Sequence, residues 1–402
     1  MLVMSIFVSC QEQYDISSPD SKYASQTGDS DDEVFSYENI IERANRYFLQ
    51  LPEGTRSGAP EVKEVVPITR SSTRGDEIHP SYYLVNYDDN AGFAIMGANA
   101  VSDDMLAISN EGNLNLADTV FNKGLAAFLR AANQPSGIIV PPIEKDTTAL
   151  KWPKIIVNVS VAPLLHTNVR MWGQGKPFNS YTPMVSKDGV TKHAPVGCVP
   201  LATAMMMSYY EWPAMHNGRN YDWKEIKNSM GTDALYYLLK ELGNPENLNV
   251  SYKFDGSGSH ISLCFRTFEN YDYSVIRKYI TLDQIDLSFY DTVKYKLPLL
   301  MQGYGIYDGE NIGHAWVIDG LLHLPKYNAV EQIRDEDKYY FHCVWGWYGN
   351  GNGYFAYDKL KGIGGVRDRD CHDDGLYPGH SDSSNNPVFD SSYGIYSISR
   401  AK

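Results

Sequence analysis

Apolar and polar positions change period several times along this chain, and the changes mark its elements. In "YENIIERANRYFLQL" the residues Ile40, Ile41, Ala44 and Phe48 return to one face at helical spacing, which predicts an amphipathic helix. After the loop "PEGTRSGAPEVKE" the pattern shifts to alternation in "EVVPITRS", "SYYLVNYDD", "AGFAIMGANA" and "MLAISNEG". Such period-two runs, broken by Asn, Asp and Gly, predict an antiparallel meander, with a turn at Asp88–Gly92. "ADTVFNKGLAAFLRAANQ" restores the helical period, so an α+β module closes near Gln134. Further on, "LATAMMMSYYEW" runs without a breaker to Pro213 and predicts a buried helix. "HAWVID" alternates like a strand, and "YFHCVWGWYGNGNGYFAYD" reads as two strands joined by a glycine-rich turn. Strand parity would set Trp345 and Trp347 on one face there.

Punctuation divides the chain. Residues 11–35 are polar and rich in Ser, Asp and Gly, the composition of a flexible tether. The stretch "PSGIIVPPIEKDTTALKWPK" holds four prolines and several lysines, and exposed segments of that kind are where proteases cut. The expected organisation is a leader and tether over 1–35, a small α+β domain over 36–150, and one large unit over 151–402. No internal repeat is seen.

Composition narrows the class. A net charge of −14, from 35 basic and 49 acidic residues, argues against a nucleic-acid partner, which needs a basic stripe. No HExxH, Cys/His cluster, P-loop or dinucleotide fingerprint occurs, so neither a metal nor a cofactor is expected. The five cysteines form no CxxC pair. "MLVMSIFVSCQEQ" is too short to span a bilayer. It is similar to the end of a bacterial lipoprotein signal, in which the cysteine after small residues is lipidated, although no Lys or Arg precedes Cys10. The expectation is an exported cell-envelope or outer-membrane lipoprotein anchored through Cys10, or a form released from the cell. With Cys10 and Cys198 set aside, Cys264, Cys343 and Cys371 leave an odd remainder that fits buried free thiols.

Cys198 has the setting of a nucleophile. It sits between Gly197 and the predicted helix, with Pro200 suited to a first turn. A helix N-terminus favours the thiolate that attacks carbonyls. The same pattern also fits a buried structural cysteine. A base is then needed, and among ten histidines His314 in "NIGHAWVIDG" has the most distinctive context. His193 is the alternative, in a "VTKHAPVG" context that reads as flexible.

Together, "GQGKPFN" (173–179), "VGCVPLATAMMMSYYEWP" (196–213), "GHAWVIDG" (313–320) and "WGWYGNGNGYF" (345–355) resemble, in order, the motifs of the streptopain-like cysteine peptidases. The first module, including "AGFAIMGANAVSDDMLAISNEGNL", resembles that family's inhibitory prodomain. The resemblance implies a papain-like peptidase domain, a helix-rich part plus an antiparallel sheet, behind a small α+β prodomain. It implies Cys198 as nucleophile, His314 as general base and Gln174 as oxyanion donor, with Trp345 screening the imidazole. Gly313, Gly197, Ser257, Gly258 and Ser259 would wall the substrate cleft. Protein or peptide substrates follow, with the chain's own prodomain as an intramolecular inhibitor and Lys145, Lys151 and Lys154 as cut sites. One position departs from the pattern: Val344 stands where the family commonly has an asparagine, which orients the histidine in papain-like enzymes. That departure motivates a second reading, a catalytically impaired peptide-binding lipoprotein. The stretch after Gly365 is also longer and more acidic than the family's active-site loop.

Overall fold

The computed structural model describes residues 34–52, 58–69, 80–99, 105–116, 122–132, 159–228, 230–276, 296–307, 310–325, 327–328, 333–334, 338–356 and 397–400. Cys10, Cys371, the linker lysines and the acidic stretch after Gly365 lie outside the described residues. In chain order the elements are α1 (Tyr37–Phe48), β1 (Val62–Thr69), β2 (Pro80–Tyr87), β3 (Phe93–Gly97), β4 (Met105–Ser109) and α2 (Lys123–Ala132). Then follow α3 (Thr167–Arg170), β5 (Met184–Lys187), β6 (Val190–His193), α4 (Cys198–Tyr210), β7 (Met215–His216) and β8 (Arg219–Asn220). After them come α5 (Trp223–Asn228), α6 (Asp233–Leu242), α7 (Leu263–Asn270) and β9 (Tyr273–Ile276). The last are β10 (Leu299–Tyr307), β11 (Glu310–Leu324), β12 (Tyr327–Asn328), β13 (Ile333–Arg334), β14 (Lys338–Val344), β15 (Gly353–Ala356) and β16 (Ser397–Arg400).

The N-terminal module is an antiparallel meander with a helix on it. Ser36 caps α1 by accepting from the Asn39 N–H at 3.3 Å, and Ile40, Ala44 and Phe48 are its buried stripe, with Ile41 at its edge. The Asp88–Gly92 turn uses left-handed backbone at Asp89 and Asn90, conformations that Asp and Asn tolerate better than most residues. At Gly92, with φ of 130°, a Cβ would sit 2.0 Å from the Ser109 carbonyl oxygen, so glycine is required.

One sheet runs through both halves of the chain. Its order is β1-β2-β3-β4-β15-β14-β11-β10, with β4 of the N-terminal module paired to β15 of the large unit through Tyr354 opposite Ile108 and Phe355 opposite Ala107. Two cores follow. The first buries Phe93, Ile95, Leu106 and Ile108 of the N-terminal module together with Trp316, Phe341, Trp345 and Phe355. The second is the helical half, built around α4, in which every residue from Val199 to Ser208 is buried. A helix apolar on all sides belongs in the middle of a core. Strand β11 serves both, giving Trp316 and Ile318 to the first core and Ala315 and Val317 to the second, as strand alternation requires.

The entry to the large unit is stapled to that sheet. Val161 and Leu321 exchange backbone bonds of 2.6 and 2.9 Å, and the Leu165 N–H donates to Asp319 Oδ2 at 3.0 Å. The other oxygen of Asp319 bonds His342 Nδ1 at 2.6 Å, and both side chains are buried. Cys264 and Cys343 are free and buried, and burial pushes the Cys264 thiol up to about 12. Among the described residues no helix is long and apolar enough to cross a membrane.

Candidate active site

Cys198 is the first residue of α4, and the residue before it, Gly197, offers no side-chain cap. A helix N-terminus without a side-chain cap favours an anion beside it, and Pro200 has no N–H to offer or waste. Gly197 has φ of 95°, and a Cβ on it would meet the Ser257 carbonyl oxygen at 3.1 Å. The 254–260 loop thus closes on the backbone just before the cysteine. Cys198 itself is half-buried and packs at the edge of the helical core.

His314 lies on β11 opposite Gly303 and is buried. By strand parity it shares a face with Trp316, and their rings are near-parallel with centroids 6.2 Å apart. Its Nε2 is 2.9 Å from the Trp345 carbonyl oxygen. A donating Nε2–H fixes the tautomer and leaves Nδ1 as the basic nitrogen. Val344 has no polar atom to hold the ring, but it is not asked to: it pairs with Val317 and buries its side chain in the helical core. The main chain one residue later does the holding.

The loop over residues 345–352 gathers the site. Strand β14 ends at Val344, and left-handed backbone at Gly346, Tyr348, Gly349 and Gly351 coils the chain back on itself. Trp345 and Trp347 therefore do not share a strand face, as parity had predicted. Trp345 is buried, 6.1 Å from the His314 ring, while Trp347 is only partly buried. Gly346 presses on Leu201 in the first turns of α4, where a Cβ would meet Leu201 Cδ2 at 2.9 Å. Tyr348 lies across Gly173 and Gly175, either side of Gln174: a Cβ on Gly173 would fall 2.5 Å from its ring, and one on Gly175 2.6 Å from its hydroxyl oxygen. The Tyr348 N–H also donates to the Trp172 carbonyl at 3.1 Å. Gln174 is buried, and its carbonyl accepts from Val196 N–H at 2.8 Å, two residues before Cys198. One loop thus touches the helix of Cys198, the segment of Gln174 and the imidazole of His314.

Other candidates sit further out or play structural parts. Ser257 is partly buried, Gly258 bridges Ser251 with open space where a Cβ would be, and the Ser259 hydroxyl donates to the Leu248 carbonyl. Gly313 is exposed beside His314. His193 is not on flexible chain: it ends β6, and its Nδ1 is 2.7 Å from the Thr182 carbonyl oxygen. Among the described residues no cluster of metal-ligating side chains occurs.

The N-terminal module reaches this site directly. A Cβ on Gly124 of α2 would lie 2.4 Å from His314 Cδ2 and 2.8 Å from the Trp345 ring. Asn122, just before α2, accepts from the Leu125 N–H at 3.1 Å and donates to the Asn350 carbonyl at 3.3 Å. Glu111 forms an ion pair with the buried guanidinium of Arg170. Asn352 is buried beneath the loop, accepting from Trp345 N–H at 3.0 Å and donating to the Arg170 carbonyl at 2.9 Å. The sequence reading missed Asn122, Gly124 and Asn352, and the one available signal was an asparagine and a glycine repeated in a short aromatic loop.

Comparison with known proteins matches two stretches of the chain to family models. The profile of the Peptidase C10 family matches residues 172–355, and that of the Spi protease inhibitor matches residues 34–135. Streptopain of Streptococcus pyogenes is 23% identical over 360 residues, covering 78% of this chain and 83% of that protein. The thiol protease/hemagglutinin PrtT of Porphyromonas gingivalis is 22% identical over 317 residues, covering 70% of this chain and 34% of that protein. A solved fragment of Prevotella intermedia prointerpain A aligns with a TM-score of 0.49 at 24% identity, covering 75% of this chain and 93% of that one.

Proposed function

From the premise that the chain belongs to the Peptidase C10 family of cysteine peptidases, with a Spi inhibitor domain ahead of the peptidase unit, we propose that Cys198 and His314 are its catalytic pair. The observation that carries this is a cysteine opening a buried helix with no side chain capping it. The helix N-terminus favours the thiolate, and the Trp345 carbonyl favours the imidazolium, so a proton passes from Sγ to Nδ1. The thiolate attacks the scissile carbonyl carbon. Charge on the tetrahedral oxyanion is taken by the Gln174 side-chain amide and the Cys198 N–H. Collapse breaks the C–N bond, and His314 gives its proton to the leaving amine. Water, deprotonated by His314, then attacks the thioester and releases the acid and the free thiol. Substrates are protein or peptide chains lying along Gly313, Gly197 and the Ser257–Ser259 loop. The Trp345 carbonyl fills the part that Val344 cannot, which removes the motive for an impaired peptide-binding protein.

The test is Cys198→Ala, which should fold as the parent does and lose turnover by at least about 10⁴-fold. Retained turnover would refute the assignment.

In the intact chain α2 closes over His314, and this supports latency until the linker is cut. The run ending at Cys10 supports export and a lipid anchor at the cell envelope. Palmitate incorporation that persists in Cys10→Ala would sink that reading.

A further inference from the structure

Resting on the catalytic pair just proposed, we infer that Asn352 is a positioning residue for the reaction, acting on His314 through the main chain of Trp345. Both main-chain polar groups of Trp345 are committed: its N–H to Asn352 Oδ1 at 3.0 Å, its carbonyl to His314 Nε2 at 2.9 Å. On one side Trp345 is fixed by the ladder, which ends with Val344 opposite Val317. On the other side the backbone turns away at Gly346, with φ of 77°. No further strand pairing reaches Trp345, so the Asn352 amide is what sets the direction of its carbonyl.

The amide is locked at both ends. Asn352 is 1% exposed, and its Nδ2 donates to the Arg170 carbonyl at 2.9 Å. Exchanging oxygen and nitrogen would set an NH₂ group against an N–H and a carbonyl against a carbonyl, so the orientation is unambiguous. Arg170 is itself tied down, by a bond from its guanidinium to the Leu165 carbonyl at 3.1 Å. A continuous line of buried polar contacts thus runs from α3 through Asn352 and Trp345 to the imidazole. Buried hydrogen bonds that share members reinforce one another, so the line holds the Trp345 carbonyl more firmly than a single bond would. Alanine at 352 would leave the Trp345 N–H and the Arg170 carbonyl unpaired at once, and the carbonyl facing His314 would be free to drift.

The other titratable groups around His314 are accounted for separately. Cys198 opens α4, Asp319 of β11 and His342 of β14 are bonded to each other further along the sheet, and Arg170 of α3 pairs with Glu111. The Trp345 carbonyl favours the imidazolium, and through it the thiolate. Weakening that contact lowers the imidazole's affinity for its proton and raises the thiol's. Both limbs of the pH–rate bell then move inward, which general loss of packing would not cause.

The experiment uses full-length protein clipped in the linker by one added protease, as wild type, Asn352→Ala and Asn352→Asp. Peptide turnover is followed across pH, with epoxide labelling of Cys198 and thermal unfolding alongside. Asn352→Ala should lower kcat roughly tenfold to hundredfold, a fraction of what a general base contributes. KM should hold within about twofold, as expected when transition-state rather than ground-state contacts are lost, and the bell should narrow from both sides. Asn352→Asp keeps the acceptor for the Trp345 N–H, so it should stay within about tenfold of wild type with the bell near full width. An unchanged kcat in Asn352→Ala, or a reduced kcat with an unchanged bell, would overturn the inference and leave the peptidase reading standing. If Asn352→Ala does not fold, a folded Asn352→Asp with a narrowed bell would overturn it equally. Wild type that takes no label would overturn the peptidase reading and this inference with it.

Discussion

Cys198 and His314 stand on two differently built supports. The cysteine belongs to the helical half, where α4 is buried from Val199 to Ser208 in a core made of the large unit's own residues. The histidine faces the other core, which Phe93, Ile95 and Ile108 of the N-terminal module share with Trp316, Trp345 and Phe355. Most contacts between the module and the site fall on the histidine's side or on the loop over residues 345–352, while Glu111 reaches Arg170 of α3, which packs against α4. Gly124 abuts His314 and Trp345, Asn122 bonds Asn350, β4 pairs with β15, and Glu111 grips Arg170. Among the described residues, then, the N-terminal module meets the site mainly at His314 and its mounting rather than at the helix of Cys198.

The contact at Gly124 is the sharpest place to break that asymmetry. Gly124→Ala puts a methyl into His314 Cδ2, and overpacking of this sort costs about 1–3 kcal/mol, which the intact chain relieves by loosening α2. Turnover by unclipped protein should rise about tenfold or more, whereas clipped wild type and clipped Gly124→Ala should match. Equal latency of the two intact proteins, at equal thermal stability, would speak against the contact. A smaller effect is expected from Glu111→Gln. Arg170 is almost wholly buried, so losing its charged partner weakens the grip by about 1–2 kcal/mol, and leakage of activity should rise several-fold. Absence of any change in leakage at low salt would remove Glu111 from the latch.

The helical half offers the quietest prediction. The Cys264 thiol, raised to about 12 by burial, stays protonated where an ordinary thiol near 9.0 would ionise. Its stabilising contribution is complete below the ordinary value and fades as pH rises towards 12. Native protein at pH 8 should therefore be alkylated at Cys198 and spared at Cys264 and Cys343, with the melting temperature falling only in the alkaline range. Modification of Cys264 in folded protein would show that half to be looser than its packing implies.

Local pattern carried the sequence reading where local forces decide the structure. The helix of α1, the meander, and a cysteine set between a glycine and an apolar run all follow from period and punctuation. The fold class was legible for the same reason, as was the likeness of four ordered motifs. The two tryptophans misled, because alternation was extended past Val344, where positive φ at Gly346 ends the strand. His193 looked loose because the β5–β6 hairpin that holds it is too short to announce itself. Gly124 reads as a weak spot in a helix until the opposing imidazole is seen. Asn352 is silent for a related reason: its partners, Trp345 and Arg170, meet only when the loop coils back onto α3. The joining of β4 to β15 has no local signature at all, since it depends on two modules folding against each other.

The most direct measurement is the pH dependence of iodoacetamide alkylation at Cys198, by mass spectrometry, in intact protein and in protein clipped between the modules. The reagent is small, and Cys198 is half-buried rather than sealed, so access alone does not decide the rate. If the N-terminal module disables the base, intact protein will react at Cys198 only as pH nears the ordinary thiol range, and clipped protein will react readily near pH 6. The same pH profile in both forms would mean that the thiolate–imidazolium pair is already made before cleavage, and that the module does no more than cover the cleft.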